Sequence, residues 1–361
     1  MNGLEWWGGQ KKEPESSTAR QTLKYLMNHA RSKRSINIYT SQEMTYMNRL
    51  FKKKWLVVCI ALFCSVLWGS AFPVLKLSYE EIQMAPDDTI AKLVFAGMRF
   101  LLAGLIILIG LFIFNRRHLF VTKRQFLFLI ILGIIQTGLQ YYFFYNGLAK
   151  VSGMQGAILS SSGIFITVLL AHFFYSNDRL NAKKAFGLAA GFIGIIVANW
   201  GQELQLSFQL TGEGYMILAA LTSAIATIMA KELAVGIHPF AITGWQLTIG
   251  AGLMLVIGLP QLNENAMTFT PLGWGLFIYS ALLSAAAFGL WYSLLKFNKA
   301  GEITMYKFIT PVSGAVLSAM FIPGEKLNLF ILSALVLVAL GIIAVNYNGR
   351  VKRGAVRKES G

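Results

Sequence analysis

Apolar residues run through this chain in long blocks, not in the three-to-four-residue rhythm of a helix half-exposed to water. Ten of these blocks approach the roughly 20 residues that a helix needs to cross a hydrocarbon layer about 30 Å thick. They cover about 55–77, 90–114, 125–147, 153–175, 183–200, 213–231, 239–260, 273–295, 303–322 and 328–346. The connections are mostly short, and no stretch is left over for a water-soluble catalytic domain. The pattern predicts an all-α polytopic membrane protein with ten transmembrane helices.

Composition sharpens that reading. Hydrophobic residues make up 55% of the chain and charged residues 13%, against roughly 25% charged in soluble domains. A soluble globule, a disordered tail and a disulfide scaffold are all excluded. The 32 Lys and Arg outnumber 16 Asp and Glu, for a net charge of +16. Such an excess suits either nucleic acid or an anionic membrane face, and position decides between them. Residues 1–54 hold 11 basic and 4 acidic side chains, and residues 347–361 hold 5 and 1. The charge sits outside the apolar blocks, so nucleic acid is not an expected partner; the lipid bilayer is.

Orientation follows from the same charges. With the N-terminus in the cytoplasm, 26 of the 32 basic residues fall on inside segments, among them Arg116, Arg117, Lys123, Arg124, Arg179, Lys183, Lys184, Lys296 and Lys299. The outside segments carry Lys92, Lys150 and Lys326 beside Glu80, Glu81, Asp87, Asp88, Glu203, Glu213 and Glu264. Both termini are therefore expected in the cytoplasm, with the chain crossing the cell (plasma) membrane an even number of times. Residues 1–46 lack the apolar core of a signal peptide. Residues 17–34 read as a basic amphipathic helix on the membrane surface or as an unstructured tail, and Met47 offers an alternative start. Cys59 and Cys64 stand too far round one helix to pair, and two thiols hold no metal cluster; they read as packing residues, with no cofactor or metal expected.

The chain also matches itself at an offset of 147 residues. Asn177-Asp178-Arg179-Leu180-Asn181 falls on Gly324-Glu325-Lys326-Leu327-Asn328, and Gly194-Ile195-Ile196 on Gly341-Ile342-Ile343. Asn199 falls on Asn346, Tyr145 on Tyr292, Leu148 on Leu295 and Gly97 on Gly244. The first and sixth spans align less well: Lys76 meets Lys231 only after eight extra residues near Glu80–Asp88 are allowed for. The organisation is a cytoplasmic tail (1–54), a first five-helix repeat (55–200), a second (201–346) and a second tail (347–361). Five is odd, so the two repeats would lie inverted in the bilayer, which gives two near-equivalent packings open to opposite sides and a basis for alternating access.

A charge in hydrocarbon costs several kcal/mol, so each intramembrane charge needs a reason. No Asp or Glu lies mid-span; Glu302 stands at the inner mouth of the ninth. Two cations do intrude, Arg99 in the second span and Lys307 in the ninth. Either they snorkel to the interface or they make a positive cavity for an anionic group. Gln246 occupies the position equivalent to Arg99. Uncharged polar and aromatic candidates surround them: Gln136, Thr137, Gln140, Tyr141 and Tyr145 in the third span, Gln155 and Ser160-Ser161-Ser162 in the fourth, Trp245, Trp291, Tyr292 and Tyr306 in the second half. Gln136 and Gln140 share a helical face, as do Tyr141 and Tyr145. Such residues line substrate pockets, but they also serve as helix-to-helix glue and interfacial belts. Pro73 and Pro311 should bend the first and ninth spans, as gating points or as packing features. A lone His172 among Ala171, Phe173 and Phe174 reads as hydrogen-bonded structure before it reads as a proton relay.

Trp68-Gly69-Ser70-Ala71-Phe72-Pro73 in the first span resembles a signature of the drug/metabolite transporter superfamily, in particular its EamA-type permeases. Met98-Arg99-Phe100, Thr310-Pro311 and Gly324-Glu325-Lys326-Leu327 are similar to it as well, over about residues 55–346, while Asn177-Asp178 departs from the Gly-Glu usual there. The resemblance implies ten helices in two inverted halves around a central cavity, which Trp68 would join, and mostly export of small metabolites, amino acids or toxic compounds. The expectation is a secondary transporter of a small organic molecule and not an enzyme: no Walker motif, Ser/His/Asp set or carboxylate pair lies in the spans. A channel, a non-transporting scaffold and an intramembrane enzyme are the alternatives. Proton coupling, uniport and exchange stay open, and a monomer is compatible with the sequence.

Overall fold

The computed structural model describes residues 48–85, 88–148, 150–151, 153–198, 208–322 and 329–346, and within them leaves out the side chains of residues 153–155, 157, 158, 198 and 346. The amphipathic reading of 17–34, Asp87, Glu203, the 324–328 turn and the side chain of Gln155 lie outside the described residues. Between Lys54 and Asn346, the described residues form helices and turns without a strand. In order they are α1 (Lys54–Glu81), α2 (Thr89–Asn115), α3 (Lys123–Leu148), α4 (Gly153–Phe174), α5 (Ala182–Ala198), α6 (Leu210–Gly236), α7 (Pro239–Gly258), α8 (Pro271–Phe297), α9 (300–321) and α10 (Leu329–Asn346). Six of them, α1–α3 and α6–α8, are long and apolar enough to cross a membrane. Shorter apolar stretches, Leu159–Phe174 and Leu329–Val345, lie in α4 and α10. Helix α9 is broken by a 3-10 turn at Met305–Phe308.

Local chemistry sets the helix starts. Asp88 accepts the Ala91 N–H at 2.7 Å, and Thr122 forms a reciprocal cap with Gln125. Thr270 accepts the Gly273 N–H at 3.0 Å with Pro271 in the first turn, and His238 caps α7 in the same way ahead of Pro239. Helix α1 ends at Gln83 with φ of 56°, which lets Met84 N–H return to the Tyr79 carbonyl at 2.9 Å.

Helix pairing follows a rule of exchange. Helix α1 packs on α8 and α9, and α6 packs on α3 and α4; α2 packs along α7, and α5 along α10. Small residues allow these approaches. Gly97 meets Leu255 and Met254, while Gly244 meets Leu108 and Ile107. Each partner lies 147 positions from its counterpart. Gly194 meets Ala334 and Leu337, and Gly341 meets Gly187 and Ala190 at the same offset. Residue numbers rise along one member of each pair as they fall along the other, so α2 runs antiparallel to α7, and α5 to α10.

The two ends of the bundle differ in charge. One end gathers the connections bearing Arg116, Arg117, Lys123, Arg124, Arg179, Lys183, Lys296 and Lys299; there His118 stacks on His238 at 4.5 Å and Asn298 donates to the Phe51 carbonyl at 3.0 Å. At the other end, near Glu80 and Glu81, the Glu81 carboxylate accepts from Thr270 at 2.6 Å, and Phe95 stacks on Phe269 while Phe277 meets both edge-on. These are called the basic and the acidic end below.

Candidate functional site

The two prolines act differently on their helices. Helix α1 continues unbroken through Pro73, and the carbonyl this residue leaves without its helical donor, that of Gly69, faces Gly314 of α9. Pro311 removes the donor that would reach the Lys307 carbonyl, and the helix there tightens into the 3-10 turn carrying Tyr306 and Lys307. Ser65 of α1 ties this turn down by donating to the Tyr306 carbonyl at 3.0 Å.

From that turn the Lys307 ammonium projects into the bundle. It lies 5.1 Å from the Trp68 ring centre and 5.0 Å from that of Trp291. Trp68 is the fifteenth of the 28 residues of α1, so the ammonium sits near mid-helix and does not snorkel to an end. The aromatic contacts continue away from it. Trp68 meets Trp291 edge-on at 5.2 Å and Phe288 at 5.4 Å; Phe288 meets Tyr292 at 6.0 Å. Tyr292 lies within electrostatic reach of Tyr141, which stands 4.7 Å from Phe100 and 5.9 Å from Tyr145. The Arg99 guanidinium closes the series, 4.4 Å from the Phe100 ring.

The result is a column of aromatic rings with a cation at each end. Arg99 is 4% exposed and about 15 Å along α2 from Thr89. Its Nε and Nη1 have no hydrogen-bond partner, and neither do Trp291 Nε1 or the Tyr292 hydroxyl. Among the described residues no carboxylate pairs with either cation. Buried polar groups are rarely left unpaired, and a cluster of them in one place is where a ligand belongs.

Of the expected site residues, the column gathers Trp68, Arg99, Tyr141, Tyr145, Trp291, Tyr292 and Lys307. Gln136 donates to Gln140 in the turn just before Tyr141, beside a π-helical turn at Ile134–Leu139. Gln246 is buried between α7 and α3; its oxygen accepts from Thr137 at 2.8 Å, a clasp between helices, and its amide nitrogen has no partner. Trp245 donates to the Leu119 carbonyl at 3.2 Å and packs on Phe126 at the basic end. Tyr306 lies within electrostatic reach of Glu302, and Ser161 is buried on α4. His172 accepts the Leu180 N–H at 3.0 Å, a structural bond. Phe100 and Phe288 were not among the expected residues; each stands within four positions of one that was. A shallow dent at the basic end, lined by His118, Phe120, Val121, Gln125, Gly236, Ile237 and His238, contains no residue of the column.

The basic end holds a second buried cation. Lys184 and Asp178, each 1% exposed, form an ion pair. Lys184 also donates to the carbonyls of Asp178 at 3.0 Å and Arg179 at 3.1 Å. The other Asp178 oxygen accepts the Gly301 N–H at 2.8 Å, which ties the α4–α5 turn to the start of α9. Beside it, Lys231 donates to the Leu295 carbonyl at 2.8 Å and to that of Asn298. His238, in the turn between α6 and α7, has its pKa pushed down to about 3 by burial, then by the neighbouring His118 and Lys296.

The profile of the EamA-like transporter family matches this chain twice, over residues 55–200 and 210–347. The chain belongs to that family. It is 25% identical over 299 residues to an uncharacterized transporter, YvbV, of Bacillus subtilis, covering 81% of this chain and 92% of the relative. It is 26% identical to another from that organism, YetK, over 70% and 76% of the two chains. A chloroplastic WAT1-related protein of Arabidopsis thaliana is 22% identical over 86% of this chain and 72% of its own length. A solved crystal structure superposes with a TM-score of 0.66 at 14% identity, over 80% of this chain and 96% of the other, a likeness of fold. With six strongly apolar helices and this membership, the protein is a multi-pass membrane transporter.

Proposed function

We propose that this EamA-family protein is a secondary transporter of the cell membrane that exports a small organic solute by alternating access. Ten helices cross the bilayer in two inverted halves, the basic end and both termini face the cytoplasm, and the solute binds along the aromatic column between Arg99 and Lys307. Trp68, Tyr141, Tyr145, Trp291 and Tyr292 form its walls, with Gln136, Gln140 and Ser161 on neighbouring turns. What carries the inverted arrangement is reciprocity: Gly97 with Leu255 repeats as Leu108 with Gly244, and antiparallel, equivalent helices belong to halves of opposite orientation. The Pro73 and Pro311 positions, on two helices in contact, are where the halves would hinge.

The test is counterflow of labelled organic solutes in proteoliposomes, combined with single-cysteine labelling. Saturable counterflow, with residues 117, 183 and 361 labelled only from the cytoplasmic face, supports the carrier. Conductance without saturation, or labelling of 117 and 183 from opposite faces, contradicts it.

A further inference from the structure

We infer that the aromatic column selects small organic anions: a flat apolar body against the rings, with an acidic head group taken by Arg99 or Lys307. The inference rests on the transporter reading and adds the charge class of the solute to it. Three independent observations lead there.

The first is the sign of what is left unpaired. Arg99 Nε and Nη1 and Trp291 Nε1 are donors only, and all three lack a partner in the buried column. A ligand that completes this site must bring acceptor oxygens. The second is charge balance. Arg99 and Lys307 both lie along the column, and among the described residues no carboxylate pairs with them. A cationic solute would enter against two like charges in a low dielectric. The third is occupancy of the indole faces. Aromatic cages receive quaternary ammonium groups through their ring faces, but the Lys307 ammonium already lies about 5 Å from the Trp68 and Trp291 rings alike. The position a drug-like cation would seek is filled from within.

Charge also bears on energetics. A bound anion is driven outward by an inside-negative membrane potential. Export of such a solute needs no intramembrane carboxylate to carry a coupling proton, and no Asp or Glu lies mid-span.

Three probes share one ring and differ in charge: benzenesulfonate, phenylalanine and benzyltrimethylammonium. Equilibrium dialysis of the full chain in detergent measures their binding, and counterflow in proteoliposomes measures their transport. The expected result is binding of benzenesulfonate about tenfold or more above the other two, the effect of one charge-assisted contact. Arg99→Gln and Lys307→Gln should each weaken that binding, while Lys307→Arg keeps it. Efflux of benzenesulfonate should accelerate when valinomycin and potassium set the vesicle interior negative. Equal binding of the three probes, preference for benzyltrimethylammonium, or no binding of benzenesulfonate overturns the inference. Saturable transport of phenylalanine alone would overturn the anion assignment and keep the carrier. Binding of benzenesulfonate without counterflow would keep the anion site and overturn the carrier.

Discussion

Two lysines in this protein, one buried and one half-buried, live in opposite circumstances. Lys184 at the basic end is enclosed by the Asp178 carboxylate and two backbone carbonyls, and Asp178 spends its second oxygen on the start of α9. Lys307, near mid-helix, has two indole rings and, among the described residues, no carboxylate partner. Either charge is costly to hold inside the bundle, but only the first is paired within the folded chain. A satisfied charge holds segments together; an unsatisfied one waits for a partner from outside. Gln246 stands between the two cases: its oxygen accepts from Thr137 while its buried amide nitrogen has no partner.

Asp178→Ala should produce the largest change. It strands Lys184 in the interior, and removing one partner of a buried pair costs about 3–5 kcal/mol. The melting midpoint in detergent should fall sharply, and Lys184→Met added on top should restore much of it; no fall in Asp178→Ala would break the comparison from the structural side. Gly69→Val comes next. A Cβ there would lie 2.9 Å from the Gly314 nitrogen and the Thr310 carbonyl oxygen, so overpacking should cost about 1–3 kcal/mol and slow transport through the α1–α9 contact, as unfolding and counterflow would register. Thr137→Val removes the clasp on Gln246 and should lower stability by about 1 kcal/mol, with solute affinity unchanged; a lost affinity would return Gln246 to the site.

A further expected effect is in pH. His238 is neutral in the fold, with its pKa held near 3, whereas an unfolded chain binds a proton on this group near pH 6.5. Between those values the unfolded state binds more protons, so stability falls as pH drops below about 6.5 and gains nothing from this group above it. Melting between pH 7 and 5 should show the decline. His238→Asn, which keeps an acceptor for the Phe240 N–H, should flatten it.

Much of this was legible in the chain. Unbroken apolar runs mark helices because bilayer-facing segments have no polar side, and the 147-residue offset reappears as reciprocal contacts of Gly97 and Gly244. Arg99 and Lys307 stood out because intramembrane charge is rare. The Asp178–Lys184 pair did not: Asp178 lies in the α4–α5 turn and Lys184 in the first turn of α5, a charged stretch where sequence offers many partners and the fold chooses one. Trp245 and Trp291 look alike in sequence, yet one packs edge-on against Phe126 at the basic end and the other lines the column, since a period of 3.6 residues gives a face but not the neighbour it meets. The π-helical turn before Gln140 leaves no residue signature at all.

Lys307→Met tests the central contrast most directly when melting and solute counterflow are measured on one preparation beside the parent chain. The account predicts a midpoint no lower than the parent's, because an unpaired charge leaves the interior, with counterflow reduced about tenfold or more. A midpoint that falls as far as that of Asp178→Ala, or counterflow equal to the parent's, would contradict it.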